Sequence, residues 1–189
     1  MARAAVIAWA LLLVLPAHPQ ESKAAPTPPP GGGICDPDPG VRLKALESVS
    51  DLELLRTTAR TDTDPAVRSA AVRRIKADGL LAQLATDDSP SDVQNQAVGQ
   101  LEDPSLLLQV ARTAPREQVR VAAVLKLKEP AVREFLTSES WVLRKAAVDR
   151  LEDQAMLESI ALGDSDPFIR EEAASRLANE DLLVRIATN

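Results

Sequence analysis

From Asp36 onward the chain carries short apolar stripes at helical spacing, separated by polar breaks. An aliphatic–Arg pair marks each stripe: Val41-Arg42, Val67-Arg68, Val119-Arg120, Leu143-Arg144 and Ile169-Arg170, with Val93-Gln94 standing third. Their second members lie 26, 26, 26, 24 and 26 residues apart, and a near-constant interval in this range marks a stacked array. Counted from the Arg, positions −1, +3, +4 and +7 are apolar, which is one face of a helix. Position +3 is Ala in all six units (Ala45, Ala71, Ala97, Ala123, Ala147, Ala173). So small a residue inside a buried stripe predicts close approach of neighbouring helices. Position +7 is always aliphatic: Val49, Ile75, Leu101, Leu127, Leu151, Leu177.

Each unit reads as two helices. The first opens with Asp-Pro at Asp38-Pro39, Asp64-Pro65 and Asp166-Pro167: Asp caps free N–H groups and Pro fits the first helical position. A second acid follows each stripe (Asp51, Asp78, Asp103, Glu129, Asp153, Glu180) and is expected to cap a Leu-rich helix of about two turns, partly 3₁₀. Position +17 within that helix is Ala59, Ala85, Ala111, Thr137, Ala161 and Ala187. Helices this short are marginal alone; stacking must stabilise them. The expected fold is all-α, a short α-solenoid of about six two-helix repeats over residues 36–189, with a period of about 26 residues.

The segment ahead of the repeats differs. Arg3 precedes 12 apolar residues, 4–15, ended by Pro16. That run is short for a bilayer span and suits a signal-peptide core. Residues 1–20 are expected to be a signal peptide, with a cleavage site as late as residue 24, where Ser22-Lys23-Ala24 fits the small-x-small rule. The chain is therefore expected to be exported, to a periplasm or the extracellular space, with no stable span after cleavage; the competing reading is a membrane-held protein with an uncleaved segment. Residues 21–35 are dominated by Pro and Gly and are expected to be a linker.

Composition narrows the function classes. Aromatics are only 2% of the 189 residues, so the core must be aliphatic. A net charge of −6 is a poor match to phosphate backbones, and no nucleic-acid partner is expected. Cys35 is the sole cysteine and allows no internal disulfide; His18, in the leader, is the sole histidine. A chain without that leader lacks the commonest general base and metal ligand. No enzyme activity and no cofactor are expected.

The half-repeat D-P-x-[VI]-R-x-x-A-x-x-x-[LI], followed by L-L-x-x-[LIV]-A, resembles HEAT-like repeats and, in its short period, still more the leucine-rich repeat variant family. Residues 64–75 with 80–85 carry it most fully, and it covers most of the chain. The resemblance implies helices stacked into a curved superhelix with a face that binds other proteins. Members that bind metal do so through His–Glu sets or clustered cysteines, which these repeats lack, so no site is carried over.

Four features bear on function. The Arg column (Arg42, Arg68, Arg120, Arg144, Arg170) is expected to be a structural ladder bonding acids and carbonyls, rather than an anion site, with Gln94 marking a weaker joint. The basic residues at +6 (Arg74, Lys126, Arg150, Arg176) are expected to complement the dipole of their own helix. Asp-x-Asp-Pro, at Asp36/Asp38, Asp62/Asp64 and Asp164/Asp166, reads as turn and cap chemistry rather than as a Ca²⁺ site. Trp141, Phe135 and Phe168 either fill the gap left by the 24-residue interval or anchor a protein partner. The expected function is an exported, non-catalytic scaffold for protein–protein interaction, with an accessory subunit or chaperone of an exported enzyme as the alternative. Self-association through an uncapped terminal face is compatible with either.

Overall fold

The structure, a computed structural model, describes residues 33–178. The expected signal peptide lies outside the described residues, as do most of the linker and the second half of the sixth unit with Glu180 and Ala187.

Among the described residues every regular element is helical. The elements are α1 (Pro39–Leu46), α2 (Leu52–Thr61), α3 (Pro65–Arg74), α4 (Asp78–Thr86), α5 (Ser91–Gln100), α6 (Pro104–Thr113) and α7 (Glu117–Lys126). A 3₁₀ helix (Ala131–Thr137) follows, then α8 (Trp141–Val148), α9 (Gln154–Gly163) and α10 (Pro167–Ser175). Neighbours pair along the chain: α2 packs on α3, α4 on α5, α6 on α7, the 3₁₀ helix on α8, and α9 on α10. The first helices form one row, with α1, α3, α5, α7, α8 and α10 each packed on the next. This is an all-α solenoid of stacked helix pairs.

Local chemistry sets most helix starts. Asp38, Asp64 and Asp166 each accept a first-turn N–H at 2.8–2.9 Å, with Pro in the first helical position. Asp51, Asp103 and Asp153 cap α2, α6 and α9 in the same way. The other two acids within the described residues behave differently. Asp78 lies inside α4, whose cap position is Ala77, and its Oδ2 accepts the Asp103 N–H at 3.0 Å. Glu129 accepts the N–H groups of Glu152 and Asp153 at 2.7 and 3.2 Å. Both carboxylates reach forward into the loop of the next unit instead of capping their own helix.

The second helices α2, α4, α6 and α9 are longer than expected, at 9 or 10 residues. The fourth unit alone departs, with a 3₁₀ helix of 7 residues after a cis Glu129–Pro130 bond. The 24-residue interval falls here: the shortened unit uses the tighter helix.

The core is a strip between the two rows. Ala71, Ala97, Ala123, Ala147 and Ala173 have no exposed surface, while Ala45 is half-buried. Around them lie Leu46, Val72, Ile75, Val98, Leu101, Val124, Leu127, Val148 and Leu151, all buried. Each fully buried aliphatic side chain contributes about 1.5–3 kcal/mol, which no single helix of this length supplies by propensity. The strip divides into two clusters at Ala147 and Val148, and Leu136 of the 3₁₀ helix packs against both.

Ala97→Leu is expected to cost about 1–3 kcal/mol through overpacking between α3, α5 and α7. Thermal denaturation measures this, and an unchanged midpoint contradicts close packing at the Ala column.

Candidate functional site

The conserved-looking charges are occupied by the stack itself. Arg42 donates Nε and Nη2 to the Asp62 carboxylate at 2.9 and 2.8 Å, and Nη1 to the carbonyls of Asp36 and Pro37. Arg144 repeats this with Asp164 and the carbonyls of Ser138 and Glu139. Arg68 takes the carbonyls of Asp62 and Thr63 and pairs with Asp92, while Arg170 bonds the carbonyls of Asp164 and Ser165. Each guanidinium thus caps the loop before its own helix, and three of them also grip an acid of the following unit. Two units depart from this. Gln94, fully buried, donates to the Asp87 carbonyl, and Arg116 of the next unit reaches back to Gln94 and to the Ser89 carbonyl. Arg120 approaches only Glu117, at 3.9 Å, and its Nε is buried with no hydrogen-bond partner.

The first Asp of each Asp-x-Asp-Pro turn accepts the N–H of the second at 2.9 Å. Burial pushes the Asp62 carboxyl up, but the Arg42 hydrogen bonds and the Asp64 N–H outweigh it and hold the group below its usual range. The Arg42 guanidinium rises correspondingly, through the Asp62 bond first. The +6 column serves the preceding unit rather than its own helix. Arg74 donates to the Val49 carbonyl, Lys126 to those of Val98 and Gly99, Arg150 to Leu127 and Arg176 to Leu151. Gln100 does the same for Val72 at 3.0 Å. Cations do meet helix C-termini here, but across the joint.

The aromatic trio separates. Phe135 is 6% exposed and belongs to the core, so it is no surface contact: the 3₁₀ helix turns it inward to fill the shortened unit. Trp141 and Phe168 remain on the surface, 50% and 71% exposed. They come from adjacent helices and line one open groove of about 430 Å³ with Lys145, Glu171, Glu172 and Ser175. Caps fix both aromatics. Trp141 opens α8 behind the Ser140 cap, and the Phe168 N–H donates to Asp166. Across the groove floor Lys145 Nζ meets Glu172 at 3.0 Å and both oxygens of Asp149 at 3.2 Å. The Glu172 bond, foremost, keeps the ammonium above its usual range. Glu171 forms no such pair among the described residues. Another surface depression, bounded by Glu53, Arg56, Thr57, Arg60, Thr61 and Asp88, is lined by charged and small polar side chains.

Comparison of the chain with protein-family models, with curated proteins and with solved structures gives no match in any of the three.

Burial separates the pairs energetically. Arg144→Ala is expected to cost about 3 kcal/mol, since Arg144 and Asp164 are nearly buried. Arg112→Ala, in an exposed pair with Glu134, should cost much less. Equal losses in chemical denaturation would contradict the clamp. Phe135→Ala should cost about 3–5 kcal/mol, whereas Phe168→Ala should leave the thermal midpoint unchanged.

The depressed Asp62 carboxyl also predicts an acid limb. A group with a lowered folded pKa stabilises the fold above its unfolded value, here near 3.8, and that stability is lost as pH falls below it. Melting midpoints measured downward through pH 4 should fall, and Asp62→Asn should be less stable above that window and flatter within it. Glu129 and Glu134, also lowered, add to the same limb. An unchanged pH profile in Asp62→Asn would contradict the Arg42–Asp62 contribution.

Proposed function

We propose that this protein is an exported, non-catalytic repeat scaffold that binds another protein chain through the groove between α8 and α10. The observation that carries this reading is the pairing of Trp141 and Phe168 on the surface of a domain otherwise nearly free of aromatics. Two large apolar side chains, held by their own helix caps and left in water, suit a hot spot. Lys145 and the two glutamates give such a groove a polar rim. The likeness of the half-repeat to HEAT-like and leucine-rich repeat variant families supports the same reading, because those solenoids present a binding face. Export rests on the leader: a basic residue, a 12-residue apolar run and small residues beyond it.

Affinity capture from the exported fraction of the source cells tests both halves. A dominant partner is expected with the unaltered protein and should be lost with Trp141→Ala and with Phe168→Ala. The captured chain is expected to begin between residues 17 and 25, consistent with leader removal. No partner above background contradicts the scaffold; an intact N-terminus in the cytoplasm contradicts export.

A further inference from the structure

The groove between α8 and α10 runs from the first turn of each helix, where Trp141 and Phe168 sit, to Ser175. Seven helical residues, 168 to 175, advance about 10 Å. A polyproline II helix rises about 3.1 Å per residue, so a Pro-x-x-Pro unit spans about 9 Å. Aromatic-lined grooves are the usual receptors for such segments, because the ligand is extended before it binds and loses little entropy. The Trp141 indole N–H, at the surface, can donate to a carbonyl that a polyproline II backbone leaves free.

The chain itself carries such a ligand. Residues 23–30 read KAAPTPPP, with Pro26 and Pro29 at Pro-x-x-Pro spacing and Lys23 three residues before Pro26. Lys23 is the only cation in residues 21–32, and Glu171, beside Phe168, is the groove acid without an ion pair among the described residues. The segment cannot reach the groove of its own chain. Gly33 turns back on Asp36 just before α1, and α1 lies four helix-to-helix steps from α8. At 8–10 Å per step that is about 32–40 Å, whereas the seven residues from Pro26 to Gly33 extend at most about 25 Å.

We propose that the groove takes the proline-rich segment, residues 23–30, of a second copy of this chain. Two copies laid antiparallel place each N-terminal segment at the other's α8–α10 groove, so the exchange is reciprocal and closes as a two-fold dimer. Trp141 and Phe168 receive the prolines, and in a chain whose leader is cut ahead of Lys23, Glu171 receives that lysine. This rests on the scaffold reading above and names its occupant.

The receptor for the test is the full chain with Trp9→Phe, which leaves Trp141 as its sole tryptophan. Pro26, Pro28, Pro29 and Pro30 are changed to Ala, so that its own segment does not compete. The probe is a synthetic peptide of residues 21–32. The peptide is expected to shift Trp141 emission to saturation, and Phe168→Ala should weaken binding by about tenfold or more. A peptide with the same four prolines replaced should not bind. In sedimentation, the chain with native prolines should run as a two-copy assembly and the four-proline variant as a monomer. A silent titration, an equal response to the replaced peptide, or a monomeric native chain overturns the proposal. If the groove ignores the peptide yet captures a foreign protein through Trp141, self-pairing fails and the scaffold stands; if it does neither, both fail.

Discussion

The fold depends on contact between one unit and the next. No helix among the described residues exceeds 10 residues, too short to persist alone in water. The buried Ala column lets first helices pack closely, and the aliphatic stripe around it leaves water only when a neighbour is present. Stability is thus close to a sum over joints rather than a property of one deep core.

Polar groups reinforce the same joints from both directions. Four ladder arginines, Arg42, Arg68, Arg144 and Arg170, hold the turn before their own helix, and the first three also hold an acid of the following unit. The residues at +6 reach back to carbonyls at or just beyond the C-terminal end of the preceding first helix. A side-chain donor from the neighbour thus binds the chain at the place where one helix ends and units meet. The third joint uses Gln94 and Arg116 for the same task, and so replaces the ladder chemistry rather than lacking it.

The irregular fourth unit has consequences for the surface. Its 3₁₀ helix draws Phe135 inward, and Leu136 spans the two parts of the core. The next two first helices then carry Trp141 and Phe168 outward, side by side. The other exposed large apolar side chains among the described residues are the leucines Leu52, Leu54, Leu125 and Leu162, and Trp141 and Phe168 are the aromatic pair. The groove's dimensions and the exposed acid Glu171 suit an extended, proline-rich chain bearing a lysine.

The sequence by itself determined the helices, the Asp caps that open α1, α2, α3, α6, α9 and α10, and the face each helix buries. Those depend on residues three or four apart, and the spacing of Ala71, Val72 and Ile75, or of Asp64 and Pro65, states them directly. Tertiary structure alone decided which groups meet across a joint. Nothing local to Arg74 shows that its guanidinium reaches Val49, 25 positions earlier. Nothing local to Asp78 or Glu129 shows that they serve the following unit. The aromatic residues make the same point, since Phe135, Trp141 and Phe168 look alike as candidates in the chain. Only the packing of the shortened unit put one in the core and left two in water. The reason is physical: local periodicity fixes orientation about a helix axis, whereas a partner 20–28 residues away is fixed only when units stack.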